Sequence, residues 1–332
     1  MASNNDIILY TYPFSPFGRR VVWYLTLRGL PYTQCLQPHV LPREDVNALG
    51  ISYRRIPLCA IGGDVYLDSR LIIDTLEKKF PDGALGSRKA DEIAVEQLLQ
   101  RWVVDGGVFA RAAQLLPPRG EAMTPQFKKD REQFMGRSWK TEDLERGRPE
   151  AFIEMQQAFE LLETTLLADG RDWVLKTPKP SLADIEVVWV FSWLADMKKT
   201  LAPHITEQMF PKVFAYVARF NAALSSAKSS AGKPPSIKGG EALRRIVAAE
   251  NTTTDMGIDE NDPFELKLGQ NIEVWPIDSG FSHHDQGRLV GLSRNEVVFE
   301  TQTKIGEKTV KVHAPRHNFR IKKVTGEAGS KL

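Results

Sequence analysis

Strand-like and helix-like stretches alternate within residues 7–80, which restricts the start of the chain to one compact, layered α/β unit. Residues 7–12 are a short apolar run. Ser15-Pro16 then opens a helix that runs to Arg28. A serine hydroxyl caps free amides, proline tolerates the first helical turn, and Gly29 supplies the left-handed exit. Residues 32–36 read as a second strand. Residues 56–61, the turn Gly62-Gly63-Asp64 and residues 65–67 form a predicted hairpin, and Asp68-Ser69 starts a helix carrying Leu71, Ile72, Thr75, Leu76 and Phe80.

From 88 to 250 the periodicity is helical throughout, with long amphipathic segments over 89–116 and 149–168. Gly106-Gly107 inside the first marks a bend or a close approach by a neighbouring helix or a ligand. Ser181-Leu182-Ala183-Asp184, just after Pro178-Lys179-Pro180, reads as a capping box with Asp in place of Glu. Residues 251–263, NTTTDMGIDENDP, are polar and rich in breakers, as a linker is. Beyond them, short β-branched or alternating runs at 271–277, 288–292, 296–301, 308–314 and 318–324 predict a small all-β, barrel-like domain. The predicted domains are an α/β unit over 1–84, an all-α unit over 88–250 and a β unit over 264–332.

A composition of 42% hydrophobic and 26% charged residues with a net charge of +2 describes an ordinary globular chain and argues against a polybasic nucleic-acid binder. The apolar run from Ile185 to Leu194 contains Glu186 and is followed by Asp196, so it falls short of the roughly 20 residues that span a bilayer. Residues 1–9 lack the features of a secretory signal, and Cys35 and Cys59 form neither a disulfide framework nor a CxxC pair, so a reducing compartment is expected. His283, His284, His313 and His317 have no cysteine companions and no zinc-finger spacing, so no metal site is expected.

Four local motifs in order carry a resemblance to a known family: Ser15-Pro16-Phe17-x-x-Arg20-Val21, Tyr53-Arg54-Arg55-Ile56-Pro57, Asp68-Ser69 before an apolar helix, and Ser181-Leu182-Ala183-Asp184-Ile185. Residues 1 to 250 resemble the cytosolic glutathione transferases, with serine-type motifs like those of the plant tau class. With the added segment 264–332, the chain looks like a fungal-type transferase-like protein. The resemblance implies a thioredoxin-like first domain, an all-helical second domain, glutathione as cofactor, a homodimer, and an apolar electrophilic small molecule as second substrate. Conjugation, isomerisation or elimination, in detoxification or specialised metabolism, are the reactions it implies. The alternative is a non-catalytic, glutathione- or ligand-binding scaffold, since fold does not dictate function.

Ser15 is the catalytic candidate. A free thiol with pKa near ~8.5 is mostly protonated at neutral pH, and a hydroxyl donor at a helix N-terminus favours the thiolate. Its other reading is a plain N-cap, and Tyr10 and Tyr12 are rival hydroxyls. The resemblance maps main-chain pairing with glutathione onto Ile56 before a cis Pro57, the γ-glutamyl end onto Asp68 and Ser69, and the glycyl carboxylate onto Arg54 or Arg55. A serine at 15 cannot form the mixed disulfide that cysteine-type members use, and Cys59 reads as a buried strand residue, which disfavours reductase activity. Tyr12, Phe14, Trp102 and Phe109, with Trp189 and Trp193, are candidate walls for the apolar substrate or core aromatics. The final Ser330-Lys331-Leu332 is the tripeptide read by the peroxisomal import receptor, so the peroxisomal matrix is the expected address, with the cytoplasm otherwise.

Overall fold

The computed structural model describes residues 5–120, 123–251, 256–304 and 308–324; the tripeptide 330–332 lies outside them. The N-terminal unit follows the predicted order: β1 (Ile7–Thr11), α1 (Pro16–Arg28), β2 (Thr33–Leu36), a short α2 (Glu44–Asn47), β3 (Leu58–Ile61), β4 (Asp64–Leu67) and α3 (Ser69–Lys79). β1 pairs parallel with β2 and antiparallel with β3, which pairs antiparallel with β4. The strand period of two sends Ile7 and Leu9 into the core shared with α1, α3 and the helical domain, while Ile8 and Tyr10 enter a second core on the opposite face. Gly29 leaves α1 at φ 62°, as the exit signal predicts.

The helical region comprises α4 (Ala90–Val104), α5 (Val108–Gln114), α6 (Pro125–Met135), α7 (Thr141–Arg146), α8 (Arg148–Leu161) running into a π-helical turn over Leu162–Leu166, α9 (Leu182–Ala195), α10 (Lys198–Leu201) and α11 (Pro211–Ala231). The single helix predicted over 89–116 is two helices. Gly107 takes φ 89°, a left-handed conformation that only glycine adopts cheaply, and the chain turns there. The capping box at Ser181 and Asp184 is formed, and Asp184 also accepts from the Val174 amide at 2.8 Å and the Tyr216 hydroxyl at 2.9 Å. After α11, β5 (Ser236–Ile237) pairs parallel with β2, and α12 (Gly239–Ala248) packs on α2.

β6 (Gly257–Ile258) falls within the predicted linker and pairs with the later β8. The predicted runs then appear as β7 (Asn271–Pro276), β8 (Asp285–Leu292), β9 (Glu296–Gln302), β10 (Thr309–Pro315) and β11 (Phe319–Lys323). They form an antiparallel meander with β11 returning beside β7. Their closure differs from a separate barrel. Among the described strands β10 does not meet β11. It pairs parallel with β4 through Lys311↔Asp64, Val312↔Val65 and His313↔Tyr66, making one sheet ordered β11-β7-β8-β9-β10-β4-β3-β1-β2-β5. The edge of β4 would otherwise present unpaired N–H and C=O groups. The apolar faces merge as well: Ile272, Val274, Leu289, Phe299 and Val312 share the second core with Ile8, Tyr10, Leu58 and Val65. The β unit thus shares a core and a continuous sheet with the first domain.

His313 sits in the seam between the two parts of the sheet. Fully buried, its ring stacks on Tyr66 at 4.4 Å and its nitrogens face Asp64 at 3.4 Å and Glu296. Burial opposes its charge, but the hydrogen bonds and fields of the two carboxylates outweigh that and raise its pKa above 6.5. The stabilisation from this group is therefore complete below the unfolded value and is lost as pH rises through the raised folded value. Urea unfolding followed from about pH 6 to about pH 9 should show wild-type stability declining with a slope that His313→Phe lacks. Truncation after Glu250 should yield an aggregating, dye-binding fragment, because it bares the β4 edge and half of the second core; a soluble, cooperatively unfolding fragment would refute that shared core.

Candidate functional site

Ser15 is placed by two short-range demands of the β1–α1 connection. Its amide donates to the Tyr12 carbonyl at 3.0 Å, turning the chain, and its Oγ accepts from the Gly18 amide at 3.0 Å, capping α1. The cap uses a lone pair of the hydroxyl and leaves the proton to be donated, so the capping and thiolate-donor roles are compatible. Gly18 is required for this packing: a Cβ there would lie 2.2 Å from Thr11 Oγ1 and 3.0 Å from Ser15 Cβ. Thr11 Oγ1 is buried and has no hydrogen-bond partner among the described residues, which leaves an orphaned hydroxyl beside Ser15. Sequence reading missed both neighbours, although a glycine in the first turn of a helix is itself a signal of close approach.

The Ile56–Pro57 peptide is cis, in the form that the resemblance implies, and it leads directly into β3. Asp68 has φ 68°, a left-handed value that costs a non-glycine residue about 1–3 kcal/mol and that clusters at functional positions. One of its oxygens caps α3 by accepting from the Arg70 amide at 3.0 Å. Ser69 is buried, and its Oγ accepts from Arg20 Nη1 at 3.0 Å, so its own proton is free to be donated elsewhere. Arg20 is in turn fully buried in an ion pair with Glu186 of α9, and Gln100 of α4 donates to Glu186 at 3.2 Å. Ser15 and Ser69 are thus tied through one residue of α1 to the centre of the helical domain. Glu186 carried a sequence signal, a charge inside an apolar run, that finds its meaning only in this pairing.

The two candidate arginines are both engaged. Arg54 is buried against α6, where Nη2 bonds Asp130 Oδ1 at 2.9 Å and the guanidinium lies 5.2 Å from the Phe134 ring. Burial pulls its pKa below the usual arginine value, and Asp130 only partly offsets this. Arg55 reaches outward: Nη1 stands 3.8 Å from Asp68 Oδ2, while Nη2 pairs with Asp278 and, with Nε, donates to the Ser279 carbonyl. Asp278 and Ser279 belong to the loop between β7 and β8 and were not anticipated, since no pattern near residue 278 links it to residue 55.

The four candidate pocket residues do not converge. Tyr12 and the exposed Phe14 stand on the β1–α1 loop with ring centroids 5.1 Å apart, and Phe14 also meets His39 at 5.3 Å. Phe109 packs on Phe17 and Trp189 at 4.8 and 5.2 Å, and Trp102 on Phe191 at 6.3 Å, within the helical-domain core. A cleft of ≈ 460 Å³ opens on the other side of α1, lined by Tyr12, Trp23 and Leu36 from the first domain and Ser192, Leu224 and Lys228 from α9 and α11. Ser15 is not part of its lining; the neighbouring Tyr12 and Pro13 are.

Residues 9–85 match the family model described as glutathione S-transferase, N-terminal domain, and residues 111–229 match one described as a domain of unknown function (DUF7962). No curated protein matches the sequence. Among solved structures, a GST-like protein from Pseudomonas syringae superposes with a TM-score of 0.70 at 22% identity, covering 96% of this chain and 100% of that one. The tau class glutathione S-transferase of mango, Mangifera indica, superposes with a TM-score of 0.52 at 14% identity, covering 74% of this chain and 100% of that one. Rice GST1 in complex with glutathione has the same TM-score of 0.52 at 14% identity, covering 74% and 98%. At these identities the structural likeness concerns the fold.

Removing one member of a buried ion pair strands the other, at a cost of roughly 3–5 kcal/mol. Arg20→Ala should accordingly lower the unfolding free energy measured in urea by that much, far more than Arg19→Ala, which breaks the half-exposed contact with Asp196. Equal effects of the two substitutions would remove the Arg20–Glu186 pair from the structural centre.

Proposed function

We propose that this chain, whose residues 9–85 match the glutathione S-transferase N-terminal domain, is a glutathione transferase-like protein that uses glutathione, activated at Ser15, as a nucleophile or acid–base cofactor on an apolar electrophilic small molecule. The observation that carries this reading is the Ser15 hydroxyl at the N-terminus of α1, capping with a lone pair while its proton remains to be donated. The orphaned Thr11 hydroxyl beside it and the close packing permitted by Gly18 fit a ligand that comes near the backbone here. Glutathione supplies the sulfur nucleophile when bound. The Ile56 backbone before cis Pro57 offers main-chain pairing, and the Ser69 hydroxyl and the start of α3 are assigned to the γ-glutamyl end. At Ser15 the donated proton and the partial positive charge of the helix terminus favour the ionised sulfur over the thiol. The cleft beyond Tyr12 is assigned to the apolar electrophile, with Trp23, Leu36 and Leu224 as its walls.

A second reading, a non-catalytic ligand-binding scaffold, is favoured by one observation: Arg54 and Arg55 are both already paired with carboxylates of the chain itself. Turnover separates the two. Ser15→Ala should keep glutathione affinity within a few-fold and lower conjugation of a model aromatic halide on the order of 10²-fold, the effect of losing one preorganised donor. Wild-type protein that binds glutathione without turnover would favour the scaffold, and an unimpaired variant would reduce Ser15 to a helix cap.

A further inference from the structure

We propose that Asp278 is a specificity-determining residue of this site: its carboxylate occupies Arg55 in place of a ligand carboxylate, so that, resting on the glutathione reading above, the chain binds the tripeptide without reading its glycyl carboxylate through Arg55. The guanidinium is nearly enclosed, with a side-chain exposure of 13%, and its donors are used on two sides. Nε and Nη2 converge on the Ser279 carbonyl at 3.0 and 2.6 Å, Nη2 also meets Asp278, and Nη1 faces Asp68. The Phe319 ring, stacked with Tyr53 at 6.0 Å between centroids, closes the site from beside the guanidinium at another 6.0 Å.

The loop that carries Asp278 is held in this position by contacts on both sides. The Ile277 amide donates to the Asn318 carbonyl at 2.9 Å, the Gly280 amide donates to the Phe134 carbonyl of α6 at 2.7 Å, and Asp285 accepts from the Tyr53 amide at 3.2 Å. Gly280 has φ 65°, and a Cβ there would stand 3.0 Å from Arg54 Cγ and 3.3 Å from the Phe134 ring, so the loop approaches this closely only with glycine. The turn between β10 and β11 flanks the other side of the α3 start, where Asn318 Nδ2 donates to Asp105 at 3.1 Å and Arg70 pairs with the same carboxylate at 2.7 Å. Asp68 and Ser69 therefore lie between two loops of the β unit. A ligand carboxylate arriving at Arg55 exchanges one charge-assisted bond for another, and the net gain is close to nil.

Calorimetric titration of the full chain with glutathione and with its glycyl monoethyl ester tests this. Wild-type protein is expected to bind the two within about 2-fold, while Asp278→Asn should prefer the free acid on the order of 10-fold, the worth of one charge-assisted bond. Asp278→Ser repeats the loss of charge with a shorter side chain, and Asp278→Glu should restore parity. A free-acid preference of that size in the wild type, or parity retained in both charge-removed variants, overturns the role of Asp278 while leaving glutathione binding intact. Absence of binding by either ligand to any of the proteins overturns the glutathione reading and this role with it.

Discussion

The buried pair between Arg20 and Glu186 is the interaction on which the arrangement of the site depends. Two full charges taken out of water are tolerated only when geometry and further hydrogen bonds compensate, and here Gln100 and Ser69 supply those bonds. Because the four residues come from α1, α9, α4 and α3, the bonds made by one guanidinium and one carboxylate hold four helices against one another. The α1 start with Ser15 and the α3 start with Ser69 are therefore oriented by the helical domain, with the more exposed Arg19–Asp196 and Arg70–Asp105 pairs crossing the same interface.

A second constraint acts on the sheet. Three of the four strands of the N-terminal unit bury both faces, so the sheet needs a layer on each side as well as partners for its edges. The helical domain supplies one layer; α12 and the β unit supply the other, with β5 on the β2 edge and β10 on the β4 edge. The seam at β4 concentrates a protonatable imidazole between two carboxylates, which ties the attachment of the β unit to pH. The attachment also brings the loops of the β unit over the α3 start, so the segment that completes the core shapes the site as well.

Local chemistry made most of the fold legible. Ser15-Pro16 and Gly29 bounded α1 to the residue, the five β runs were located within a few residues, and the box at Ser181 formed as read. Each of those signals is a property of neighbouring residues. The break at Gly107 was visible as a glycine pair but not decidable, because bend and close packing use the same residue. What was not legible is what depends on distant partners: that β10 would join β4 in place of β11, that Arg54 would be buried under α6, and that Asp278 would claim Arg55. The aromatic candidates illustrate the same limit, since helical spacing placed Trp102 and Phe109 on a face without saying that the face meets Trp189 and Phe191.

The parallel register of β10 on β4 has a consequence for the order in which the molecule is made. His313 and Asp64 touch although 249 positions separate them, so the loop closed by that contact embraces the whole helical region. Non-local strand pairing of this kind is entropically slow to form. During synthesis at roughly 5–20 residues per second, the N-terminal unit waits on the order of ten seconds or more with one strand edge and one apolar face unprotected. A cell making this protein must shield that half-built sheet for as long as the remainder takes to emerge.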